Sequence, residues 1–142
     1  MPIDPEQILL QGAELLKPLF SQHGFAFAQL AAGTGSGGAF ATAGFRRADR
    51  SFELHFRFSL GIVTYRIGSE SISHEELMCS VLGGPNRSRY PGFSNDPMDA
   101  FRDLRDDLRE YCSEFLVGPD EAFLHRIQEA RVSRANRPRL PG

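Results

Sequence analysis

The chain of 142 residues has no tryptophan, two cysteines, four histidines and a single lysine, Lys17. Each scarcity removes a class of chemistry. Cys79 and Cys112 lie far apart and form no Cys-x-x-Cys, so neither a disulfide framework nor a thiolate metal knuckle can be read. Both read as packed, reduced thiols. The run His74-Glu75-Glu76 begins like a zinc-binding helix, but the second histidine required four residues on is Met78. No metal and no cofactor is read. No Gly-Lys-Ser/Thr follows the glycine run at 33–38, and the segment after it reads as a strand, which excludes a phosphate cradle. A Gly-x-Ser-x-Gly nucleophile elbow is also missing. No apolar run approaches the ~18 residues of a membrane helix. The start, Met1-Pro2-Ile3-Asp4-Pro5-Glu6, lacks the basic and apolar regions of a signal peptide, so a cytoplasmic protein without membrane contact is expected.

What is present fits a globular domain. Hydrophobic residues make up 41% and charged residues 24%, ordinary values for a chain that buries one core. Twelve phenylalanines supply much of that core, so the absence of tryptophan costs it little bulk. The fifteen arginines are spread along the chain and mark no single site.

Spacing predicts a helix over 5–23, with Asp4 as N-cap, Pro5 in the first turn and Gly24 ending it. Four strands follow, at 25–30, 39–47, 52–59 and 62–67. The third is the clearest: Phe52, Leu54, Phe56 and Phe58 alternate with Glu53, His55, Arg57 and Ser59, one face dry and the other wet. Gly61 is read as a turn or bulge between the third and fourth strands. Ser73 with Glu76 forms a capping box for a short helix to Leu82. A Gly- and Pro-rich loop at 83–95 leads to a long helix from Pro97 to about residue 117, and Gly118-Pro119 separates it from a last helix at 120–134. The predicted fold is α+β, a four-stranded antiparallel meander with helices on one face, a two-layer sandwich. Residues 1–134 form one domain and 135–142 a flexible basic tail.

Three features are candidate sites. Glu53, His55 and Arg57 share one strand face, ~6.5–7 Å apart in succession, and Arg66 on the next strand joins them. Acid, imidazole and guanidinium together can bind an anion or a small molecule, although mixed charge on an open sheet face ordinarily serves solubility. Tyr90 and Phe93 flank a Pro-Gly turn and can anchor a partner. Residues 96–118 carry seven acids against three arginines, and i,i+4 pairing does not explain the surplus. Asp103 and Asp107 are therefore candidate partner contacts, with a solvated face as the ordinary alternative. Four arginines at the C-terminal end, in a chain of net charge −2, are too weak a footprint for nucleic acid.

The order of a capped helix, a Phe-rich meander and an acidic helical half resembles the small α+β bacterial domains that serve as immunity or adaptor proteins. The resemblance is one of layout, carries no motif and implies a non-enzymatic protein-binding module. The alternative is a small-molecule-binding protein or enzyme centred on His55. A homodimer through an open sheet edge is a further expectation.

Overall fold

The structure, a computed structural model, describes residues 4–35, 38–57, 60–82 and 96–135. The order of elements is α1 (Pro5–Gln22), β1 (Ala26–Gly35), β2 (Gly38–Arg47), β3 (Arg50–Phe56), β4 (Leu60–Ile67), β5 (Glu70–Ser73), α2 (His74–Leu82), α3 (Pro97–Tyr111), α4 (Ser113–Val117) and α5 (Asp120–Ala135). It is an α+β fold in which an antiparallel sheet packs against helices.

The strands are ordered β1-β2-β3-β4-β5, a five-stranded meander where four strands were expected. The additional strand, Glu70–Ser73, is only four residues long and pairs with Thr64–Ile67. Its single inward apolar residue, Ile72, gives too little alternation to announce a strand. The glycine run also departs from expectation. Gly33 to Gly35 and Gly38 belong to the strands, because β1 and β2 pair all the way to Gly35↔Gly38. The third strand begins at Arg50 and ends at Phe56, and Phe58 lies outside the described residues.

Local chemistry accounts for the element boundaries. Asp4 accepts hydrogen bonds from the amides of Glu6 and Gln7 and starts α1. Gly24, with φ of +83°, ends it in the left-handed region. The hydroxyl of Ser73 accepts from the Glu76 amide at 3.2 Å, as the capping box requires. Between Leu54↔Val63 and Phe56↔Leu60, β4 advances one residue more than β3, so a bulge sits at Gly61 and Ile62.

The predicted long third helix is two helices. It breaks at Cys112, which has φ of −112° and ψ of 26° and separates α3 from α4. The break turns Phe115 and Leu116 into the core. There Phe115 meets Phe25, Tyr65 and Phe123, with ring centroids 5.6, 5.0 and 5.0 Å away. The Phe115 contacts continue a row of aromatic rings that starts on α1. Phe20 stacks on Phe45 at 4.3 Å and leans on Phe52 at 4.8 Å, and Phe52 meets Tyr65 edge-on at 5.1 Å. α1 meets α3 where the Phe101 ring lies on Gly12, and a Cβ there would stand 2.3 Å from a ring carbon. The strand residues in these contacts all use the inward sheet face. The residues between them, Thr42, Glu53, His55, Thr64 and Arg66, point the other way and are half-buried.

Two arginines fasten the last helices to the sheet. Arg47 lies over the Phe25 ring and donates to the carbonyls of His23 and Leu116 at 2.7 and 2.8 Å. Arg50 is buried. It pairs with Asp120 at 2.8 Å, donates to the Phe115 carbonyl at 2.6 Å and reaches the Gly118 carbonyl. One guanidinium thereby serves the C-terminal carbonyls of α4 and the first turn of α5.

Candidate functional site

The outer sheet face carries three of the four polar residues singled out from the sequence, with the fourth beyond the end of its strand. β3 presents Glu53 and His55 outward because Phe52, Leu54 and Phe56 take the inward positions. Arg66, outward on β4, donates from Nε and Nη2 to Glu53 Oε2 at 3.3 and 3.2 Å. This ion pair is part-exposed and contributes little to stability, ~0–1 kcal/mol. His55 instead stacks on Phe40 of β2, with centroids 5.8 Å apart and rings inclined by 21°. The Arg57 guanidinium lies 5.8 Å from the same Phe40 ring. Phe40 thus organises two of the predicted residues.

The β4 bulge adds Ile62. Gly61 and Ile62 are consecutive and both exposed, which a regular strand does not allow when one face is buried. Ile62 is 72% exposed, the most exposed large apolar side chain among the described residues. It borders an open depression of about 480 Å³ lined with Thr42, Glu53, His55 and Thr64. The depression can bind, but its polar groups do not make an acid–base pair. Among the described residues no carboxylate hydrogen-bonds His55, and Glu53 is engaged by Arg66.

The acidic helix is rearranged relative to expectation. Asp107, read as a partner contact, is fully buried and cannot meet a partner. It occupies the inward stripe of α3 between Leu104 and Leu108. Asp103 is half-buried on the same helix and keeps part of its surface. Of the other acids, Asp96 and Asp99 engage Arg102, and Asp106 lies 3.8 Å from Arg105. Tyr90 and Phe93 lie outside the described residues.

Asp107 belongs to a buried polar chain that the sequence did not reveal. Its Oδ2 stands 3.0 Å from His74 Nε2, His74 Nδ1 stands 2.6 Å from the Tyr65 hydroxyl, and that hydroxyl is 3.5 Å from Cys112 Sγ. With Asp107 a carboxylate, Nε2–H donates to it and two arrangements fit the rest of the chain: the Tyr65 hydroxyl donates to a bare Nδ1 and accepts from the Cys112 thiol, or it accepts from Nδ1–H and donates to Sγ. All four side chains are buried, so the chain joins β4, α2 and α3 from within. His74 is the first residue of α2, and the alternation of β5 carries through the Ser73 cap: Ile72 points inward and so does His74.

Burial pushes the Cys112 thiol up from 9.0 to about 12, partly opposed by its hydrogen bond with Tyr65. The Tyr65 hydroxyl is held well above its ordinary 10.0, chiefly by burial and then by Cys112. Both folded-state values exceed the unfolded ones, so both groups favour folding below the unfolded pKa and lose that contribution as pH rises toward the folded value. Stability to urea is expected to fall as pH rises above 9. For the thiol alone the loss reaches about 4 kcal/mol by pH 12, at about 1.36 kcal/mol per unit. Cys112→Ala, measured by urea melts from pH 7 to 11, should show a shallower decline than the wild type; parallel curves would contradict the buried thiol.

No family model, curated protein or solved structure matches the chain. Among the described residues, no helix is long and apolar enough to cross a membrane and no three His, Cys, Asp or Glu side chains converge as a metal site.

Proposed function

We propose that the chain is a non-enzymatic protein-binding module whose partner seats on the outer sheet face, over Phe40, His55 and Ile62. The observation that carries the reading is the bulge in β4, which holds Ile62 at 72% exposure beside the Phe40–His55 stack. An apolar centre of this kind, rimmed by the Glu53–Arg66 ion pair and by Thr42 and Thr64, has the anatomy of a protein interface. The partner it fits offers an apolar side chain to the groove beside Ile62 and polar groups to the rim. The acidic face of α3 is a weaker surface, since Asp107 is buried and its neighbours engage arginines of their own helix.

A photoreactive residue at position 62 tests the reading in the native host extract, with the same residue at the exposed Glu121 as control. Position 62 should give a discrete adduct that Phe40→Ser abolishes while circular dichroism is unchanged. Identical adducts from both positions would refute the proposal. The small-molecule reading keeps one supporting observation, the depression of about 480 Å³, within the ~300–1,000 Å³ usual for ligand sites. It predicts that native mass spectrometry of gently purified protein shows a bound species of small mass that His55→Ala removes.

A further inference from the structure

The two ends of the sheet are built differently. β5 is four residues long, its Glu70 pairs with Arg131 of α5, and the chain turns from it directly into α2. Short length, charge and a covering helix are the usual means of closing a sheet edge. β1 is ten residues long, pairs with β2 alone and contains no charged residue and no proline. Among the described residues its one protective device is a bulge, since β1 advances one residue more than β2 between Gln29↔Ala43 and Ala31↔Thr42. Regular pairing resumes at Ala31. From Ala31 to Thr34 every residue is exposed, whichever face it lies on. This part of the β1–β2 hairpin therefore stands clear of the helical layer and offers its outer backbone edge to another strand.

We propose that the Ala31–Thr34 edge pairs antiparallel with the same edge of a second copy across a two-fold axis at Ala32, so that Ala32 faces its own copy and Ala31 faces Gly33, joining two five-stranded sheets into one. Such an axis brings the strand against itself, so any charge on it would face a like charge. Ala31, Ala32, Gly33 and Thr34 carry none, and their small side chains let two backbones approach to the ~4.8 Å of paired strands. A foreign strand would find no charge here to select it, whereas the strand is compatible with itself in charge and in side-chain size. The contact is short and buries less than the ~1,000 Å² of a permanent interface, so the dimer is reversible.

Sedimentation equilibrium over an about hundredfold concentration range tests the inference. The wild type should move from 15.8 kDa toward twice that mass. Ala32→Lys and Ala32→Glu should each stay monomeric, because the added charges face one another, and an equimolar mixture of the two should recover the dimer. Ile62→Asp lies on the sheet face and should dimerise as the wild type does, which separates this inference from the proposed binding face. A wild type that remains monomeric throughout would overturn it. So would a dimer that persists unchanged in Ala32→Lys.

Discussion

Replacing His74 with alanine should lower the stability of the protein by about 3–5 kcal/mol, the range for removing one partner of a buried ion or hydrogen-bond pair. The imidazole stands between Asp107 and Tyr65, at 3.0 and 2.6 Å, and all three side chains are buried. Without it the carboxylate and the hydroxyl lose their shared partner in a region where water does not readily replace it. Guanidinium melts of His74→Ala should show a markedly lower midpoint with an unchanged slope. The double replacement His74→Leu with Asp107→Leu should lie closer to the wild type than His74→Leu alone, because apolar residues remove the buried carboxylate together with its imidazole partner. A single variant within about 1 kcal/mol of the wild type would show that the chain does not hold α2 and α3 to the sheet.

Arg50→Met should have the next largest effect, a loss of about 3 kcal/mol. The methionine keeps the apolar stem but strips the guanidinium from Asp120 and from the carbonyls of Phe115 and Gly118. The damage should be local. Amide exchange should accelerate across 113–122 before it changes in β2 or β3, because Arg50 is one of the two arginines that tie those helices to the sheet. Arg50→Lys should recover little, since an ammonium cannot span the same acceptors as a planar fork. Asp120→Ala should cost less than about 1 kcal/mol, because that carboxylate is 44% exposed and water can replace it. If Arg50→Lys matched the wild type, the fork geometry would be irrelevant and charge alone would suffice.

The candidate site was partly legible for the same reason that the strands were. Period-two alternation at Phe52–Arg57 placed Glu53 and His55 on the wet face, and the structure keeps them there. Phe40 and Ile62 were not legible as site residues. Phe40 sits among alanines that gave no sign of which face it would take, and Ile62 is turned outward by a bulge whose effect depends on the partner strand. Asp107 was misread because its charge suggested a surface, while its spacing from Leu104 placed it on the buried stripe. Spacing prevailed because a histidine was available inside to receive it.

The sequence by itself determined the local elements: the caps at Asp4 and Ser73, the turn at Gly24, the inward stripes of the strands and the α+β class. These depend on residues within a few positions of one another, where the backbone and its nearest side chains settle the energy. The fifth strand, the break at Cys112, the burial of His74 with Asp107 and the anchoring by Arg50 were decided only by the tertiary structure. The polar chain and the Arg50 anchor join residues 9 to 70 positions apart, and their energy comes from partners that folding alone brings within reach. The scarcity of cysteine, histidine and lysine meant that no catalytic motif stood out in the sequence. The packed chain uses two of those few residues, His74 and Cys112, to hold its interior together, and leaves His55 on the open face with Phe40 and Ile62.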